Sequence, residues 1–332
     1  RLLKLLSAFC GNHYTSIRKY FDASTFAKLQ SNSTSGTVSI VNFFNYVMRK
    51  VWFQESRIAL SLYDSDGQGY LTEDELEAYL SELIPTLTKL GNLDPKFYPF
   101  YLCIVVRKFF FFLDSHHTQR IKIVDILESG FLEDLLELRN ENLQKTREET
   151  NWFSYDNALR FYSCYISLDE NQNGMLSKDE FRKFGNGCFS RLFVDRIFEE
   201  LLTYNGEIDF KVFIDLILMM ENKKEPQSLN LYFHLLDINH EYFIDDFVLK
   251  VFLKSLEEKL LEQGHDPLNM ETVAVEVCDM IKPQNTRKIT LKDLISSGQG
   301  DVVVTILTDC NGFWCYENRE LLFLDSQEEA DV

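Results

Sequence analysis

Residues Asp169 to Glu180 read Asp-Glu-Asn-Gln-Asn-Gly-Met-Leu-Ser-Lys-Asp-Glu. Side chains bearing oxygen stand at positions 1, 3, 5, 9 and 12 of this run: Asp169, Asn171, Asn173, Ser177 and Glu180. Met175 at position 7 offers its backbone carbonyl. A calcium ion takes six to eight hard oxygens in a flexible sphere, and this spacing lets the donors converge as the loop curls. Gly174 at position 6 permits the sharp turn, and Glu180 closes the sphere with both carboxylate oxygens. Leu176 at position 8 is placed to form a short β-bridge to a partner loop.

Asp64 to Glu75 repeats the pattern as Asp-Ser-Asp-Gly-Gln-Gly-Tyr-Leu-Thr-Glu-Asp-Glu. Its ligand candidates are Asp64, Asp66, Gln68, the Tyr70 carbonyl, Thr72 and Glu75. Gly69 and Leu71 stand at positions 6 and 8. Gln68 is one methylene longer than the Asp or Asn usual at position 5. The two loops therefore trade ligand shape against ligand charge, and one or two calcium ions are expected. Both are loops of the EF-hand kind. A rival reading takes Leu60 to Gly67 as the apolar strand and D-x-D of a haloacid-dehalogenase-type phosphatase. That strand should be a continuous apolar run, whereas Val51, Trp52, Ile58, Ala59 and Leu62 fit one helical face.

Degenerate copies extend the repeat. They lie at Ser31–Asn42, Asp114–Asp125, near 201–212 around Asn205-Gly206-Glu207-Ile208, at Asp237–Val248 and at Lys282–Asp293. Each lacks essential oxygens, so helix-loop-helix folding without calcium is expected. The position-8 residues suggest pairs: Val38 with Leu71, Leu176 with Ile208, and Ile244 with Ile289. Ile121 is left over, or takes Leu71 instead. Either way each metal loop has a partner that supplies packing and no second ion.

The elements that position these loops read as helices, with apolar residues three and four apart. Helices are expected near 18–30, 39–49, 51–63, 73–83, 99–113, 122–140, 152–168, 178–185, 190–203, 210–221, 227–236, 245–263, 270–281 and 291–297. The fold class is all-α: tandem helix-loop-helix units in two lobes, with short β-bridges between paired loops. The N-terminal lobe is 1–140, a polar linker 141–151, the C-terminal lobe 152–300, a tail 301–324 and an acidic frayed end 325–332. Pro85–Pro99, with three of the six prolines, is a second linker-like stretch.

Composition agrees with a folded, two-domain chain of 332 residues: 45% hydrophobic, 26% charged, 14% aromatic. Acids exceed bases 52 to 34, a net charge of −18, which disfavours nucleic acid and anionic lipid and suits cations or basic partners. Seven widely spaced cysteines without C-x-x-C form neither a disulfide framework nor a zinc ribbon, and reduced cytosolic thiols are expected. The chain begins at Arg1 without an initiator Met and reads as a fragment or trimmed chain with no secretory signal. Asn32-Ser33-Thr34 is then a chance sequon. The apolar stretch Phe97–Leu113 is interrupted by Pro99 and Arg107-Lys108, so no membrane insertion is expected.

Four consecutive phenylalanines, Phe109, Phe110, Phe111 and Phe112, cannot all face one core at 100° per residue. At least one should meet the second lobe or a partner. His116 and His117 are adjacent, and adjacent residues rarely share an ion. Cys310 and Cys315 lack metal-binding neighbours. Glu133, Asp134 and Glu137 fit a solvated helix face. No Walker loop, G-x-S-x-G, H-E-x-x-H or dinucleotide fingerprint occurs, so there is no catalytic constellation.

Several strings outside the calcium loops carry a closer likeness: Asn42–Lys50 (NFFNYVMRK), Arg107–Asp114 (RKFFFFLD), Asn151–Ser154 (NWFS), Asn173–Glu180 (NGMLSKDE), Asp279–Pro283 (DMIKP) and Gly312–Glu320 (GFWCYENRE). Over nearly all of residues 38–320 the chain resembles the B″ class of protein phosphatase 2A regulatory subunits, gamma type. The resemblance implies a non-catalytic, calcium-binding subunit that binds the scaffold and catalytic subunits and directs the holoenzyme to substrates. It further implies centrosomal or microtubule-associated partners, and cytoplasmic, centrosomal and nuclear pools. The metal ligands it implies are those already named. The alternative is a free-standing EF-hand calcium sensor or buffer without a phosphatase partner.

Overall fold

The computed structural model describes residues 23–30, 38–91, 93–285 and 288–319. The expected loop 31–42 lies mostly outside them, as do the end of the tail and the acidic terminus. Helices α1 (Ala23–Gln30) and α2 (Ile40–Ser61) come first. α2 runs unbroken through the gap expected at residue 50. It also occupies the place where the phosphatase reading needs a strand before Asp64, which removes that reading.

β1 (Tyr70–Thr72) leads into α3 (Glu73–Leu83), and two single 3-10 turns, Ile84–Thr86 and Thr88–Leu90, follow. α4 (Tyr98–Leu113) begins with Pro99 in its first turn, where no N–H is needed. β2 (Arg120–Lys122), α5 (Ile123–Glu128) and α6 (Phe131–Glu137) come next. Periodicity predicts one helix over 122–140, but Gly130 takes a left-handed φ of 79° and splits it. The polar stretch 141–151 contains a short helix, α7 (Lys145–Thr150), fastened by ion pairs from Arg147 to Glu137 and from Glu148 to Lys89.

α8 (Tyr155–Leu168), β3 (Leu176–Ser177), α9 (Lys178–Phe181), α10 (Arg191–Glu200), β4 (Glu207–Ile208) and α11 (Phe210–Glu221) form the next run. α12 (Pro226–Leu236), β5 (Ile244–Asp245), α13 (Asp246–Glu262), α14 (Met270–Ile281), β6 (Lys288–Ile289) and α15 (Leu291–Ser296) follow. The expected tail is helical too: α16 (Gly300–Thr308) and α17 (Cys310–Glu317). α16 packs on α12 and α13, and Gly300 meets Leu229 so closely that a Cβ there would lie 2.8 Å from its side chain.

The strands make three antiparallel pairs: Leu71 opposite Ile121, Leu176 opposite Ile208, and Ile244 opposite Ile289. Leu71 therefore takes Ile121, and the pairing with Val38 is corrected. Residues 120–122 sit at the end of an intact loop and present Ile121 to the core, 1% exposed, whereas Val38 stands in no strand.

α4 and α11 are apolar almost all round, so both are buried, and they pack against each other. One apolar cluster runs from Leu60 to Phe313 through this contact. At its polar margin the Arg107 guanidinium donates to both carboxylate oxygens of Asp215, at 2.9 and 2.8 Å. Phe109 and Phe110 lie in the core; Phe109 packs edge-on to Phe131 and parallel to Phe153. Phe111 and Phe112 are half-buried against the same cluster. Among the described residues all cysteines are free, and no helix is long and apolar enough to cross a membrane.

Candidate metal centre

The loop 169–180 hangs between α8 and α9. Its first and last residues are the two carboxylates that organise it, and both are buried, each 6% exposed. Asp169 accepts from the backbone N–H of Asn173 at 3.1 Å with Oδ1 and of Gly174 at 2.9 Å with Oδ2. Glu180 Oε1 accepts from the N–H of Glu170 and Asn171, at 3.0 and 3.3 Å. Its Oε2 accepts from the Ser177 N–H and hydroxyl, at 2.9 and 2.7 Å. Burial pushes the Glu180 carboxyl up, but these hydrogen bonds outweigh it and hold it below the usual carboxylate value. Ser177 and Glu180 also form a capping box that starts α9, so the closing ligand and the helix start are one device. The Tyr165 hydroxyl donates to the Gly174 carbonyl at 2.8 Å and ties the loop to α8.

The loop 64–75 repeats this network. Asp64 accepts from the N–H of Gln68 at 3.2 Å and of Gly69 at 2.6 Å. Glu75 accepts from the Ser65 N–H and hydroxyl on one oxygen and from the Thr72 N–H and hydroxyl on the other. Led by the Ser65 hydroxyl, these bonds pull Glu75 down to about 2. Asp66 and Gln68 are exposed.

The degenerate loops keep the scaffold. Asp114 accepts from the N–H of Thr118 and Gln119, and Asp237 from those of Glu241 and Tyr242. Asp293, a short closing acid, caps with Thr290. Left-handed φ recurs at positions 4 and 6: Gly67 and Gly69, His117 and Gln119, Gln172 and Gly174, His240 and Tyr242. The shape outlives the ligand set because position-1 carboxylates satisfy the loop N–H groups.

A calcium ion fits the donor sets of 169–180 and 64–75. Each combines carboxylates with amide or hydroxyl oxygens and a position-7 carbonyl, and each has glycine with φ near 80° at position 6. Among the described residues no three His, Cys, Asp or Glu side chains converge as a metal cluster. His116 and His117 are both exposed. Sequence reading missed Glu207, whose carboxylate accepts from the Asn173 amide across the loop pair, at 3.1 and 3.3 Å.

No protein-family model matches the chain. It is 52% identical over 316 residues to the human protein described as the gamma form of the B″ regulatory subunits of serine/threonine-protein phosphatase 2A, covering 95% of this chain and 70% of the relative. The gamma form from Xenopus tropicalis is 50% identical over the same length and coverage. An Arabidopsis thaliana protein, TON2, described as a probable member of the same B″ group, is 36% identical over 315 residues, covering 92% of this chain and 65% of the relative. Among solved structures, a chain of a PP2A PR70 holoenzyme matches with a TM-score of 0.66 and 22% identity. That match covers 73% of this chain and 91% of the other, and it shows a shared fold.

Proposed function

The chain belongs to the gamma type of the B″ regulatory subunits of protein phosphatase 2A, a regulatory and non-catalytic family, and from that premise we propose how it works. It binds the phosphatase scaffold and catalytic subunits and directs the holoenzyme to substrates. The observation that carries this reading is the 52% identity running over 95% of the chain.

The helix-loop-helix units are tandem EF-hands in two lobes, split near 141–151. Asp169, Asn171, Asn173, Met175, Ser177 and Glu180 hold calcium, and Asp64, Asp66, Gln68, Tyr70, Thr72 and Glu75 are the ligand set for a second ion. Bound calcium supplies positive charge that fixes these oxygens. The chain's part is to couple them to helix direction: Glu180 is at once a ligand and the cap of α9, and Tyr165 links the loop to α8. Stiffening there presents a defined docking surface. Cytoplasmic, centrosomal and nuclear pools, and centrosomal or microtubule-associated partners, are part of the same proposal.

Affinity capture from cytosolic extract, with the chain as bait in calcium and in chelator, tests this. Retention of both phosphatase subunits is expected, with the difference between buffers measuring the calcium coupling. Retention of neither in either buffer would favour an independent calcium-binding module.

A further inference from the structure

Resting on the calcium reading of 169–180, we propose that Glu207, on the paired loop without a ligand set, is a positioning residue for the position-5 ligand Asn173. The backbone of Glu207 is fixed twice. It pairs with Ser177 in the β3–β4 bridge, and it exchanges N–H···O bonds with Tyr204 at 3.1 and 2.8 Å. From that anchor its carboxylate faces the Asn173 amide. A carboxylate only accepts, so the amide must turn its NH₂ group outward to Glu207. Its oxygen then points back into the loop, where it accepts from the Met175 N–H at 2.8 Å. Two one-way partners thus fix the amide with its oxygen on the ligand side.

The other loop pairs differ at this position. The residue opposite Thr72 is Arg120, stacked over Tyr70, and the residue opposite Asp245 is Lys288, over Phe243. Of the three strand pairs among the described residues, only the one beside 169–180 carries an acid there. The partner loop therefore ranks the two calcium sites: Glu207 strengthens 169–180, and Arg120 gives no such support to Gln68.

The test measures calcium affinity by competition with a chromophoric chelator, in the full chain carrying Glu75→Gln so that 169–180 titrates alone. Glu207→Ala weakens binding about 10- to 100-fold, the usual range for loss of a group that orients a metal ligand. Glu207→Gln keeps an acceptor for the amide and stays within about fivefold, because a partly exposed charge contributes little. In an Asn173→Asp background nothing needs orienting and Glu207 repels the new carboxylate, so Glu207→Ala leaves affinity unchanged or raises it. Equal losses in both backgrounds would overturn positioning in favour of a diffuse charge effect, and no loss from Glu207→Ala would overturn it outright. Calcium binding unaffected by Glu180→Gln would instead overturn the site on which the proposal rests.

Discussion

Glu180→Gln separates the two duties of one side chain. Glu180 accepts four hydrogen bonds, two on each oxygen. Glutamine keeps one acceptor oxygen. The better arrangement turns that oxygen to the N–H groups of Glu170 and Asn171 and the NH₂ toward Ser177, whose hydroxyl can rotate and accept. The Ser177 N–H then loses its acceptor, and the bonds that remain are no longer charge-assisted. Bonds to a charged group contribute about 1.5–3 kcal/mol against about 0.5–1.5 for neutral ones, so a cost of about 2 kcal/mol is expected in chelator. Removal of a charged, two-oxygen ligand should weaken calcium at this loop by at least about a hundredfold, ~2.7 kcal/mol. Thermal melts in chelator read the first effect, and calorimetric titration of the Glu75→Gln chain with and without Glu180→Gln reads the second. The stabilisation that calcium gives to melting should also shrink. Equal affinity and stoichiometry with and without Glu180→Gln would refute the assignment of Asp169–Glu180.

Other consequences follow from the packing. Tyr242 is 84% exposed with a φ of 62°, so Tyr242→Gly relieves a left-handed residue without emptying the core and should stabilise the chain by about 1 kcal/mol in denaturant titration. Arg107→Met strands the Asp215 carboxylate at the α4–α11 contact and should cost about 3 kcal/mol, with Asp215→Asn partly restoring the double variant. Phe109→Ala opens a cavity among Phe131 and Phe153 and should cost about 3–5 kcal/mol by the same measurement. Lys108 lies over the rings of Trp152, Phe153 and Phe131, and burial pulls its ammonium down to about 8. The folded chain thus binds that proton more weakly than the unfolded chain, whose lysines titrate near about 10.4. Stability should therefore rise with pH from about 8 toward that value, and Lys108→Met should remove the rise in melts compared across the window.

The loops and most helices are legible because each rests on local chemistry. α3, α11 and α14 stand at the spans that periodicity gives, 73–83, 210–221 and 270–281, and the first of these is fixed by the Thr72–Glu75 capping box. Leu176 with Ile208 and Ile244 with Ile289 follow from position 8 alone. Spacing points Leu71 to Val38 because their separation matches that of the next pair. The 3-10 turns between α3 and α4 lengthen the step, and the register sets Leu71 opposite Ile121. α16 escapes notice because Val302, Val303 and Val304 are β-branched and lower helix propensity, which burial against α12 and α13 overrides. Glu207 escapes because a contact across a loop pair has no sequence period. The signal that finds it is the residue at position 7 of each degenerate loop, where Arg120 and Lys288 are basic.

Reconstitution with purified phosphatase scaffold and catalytic subunits, followed by sedimentation velocity in calcium and in chelator, tests the calcium-coupled assembly itself. A three-component complex is expected, its formation strengthened by calcium, with Glu180→Gln reducing that calcium-dependent part. Three components sedimenting separately in both buffers would contradict it.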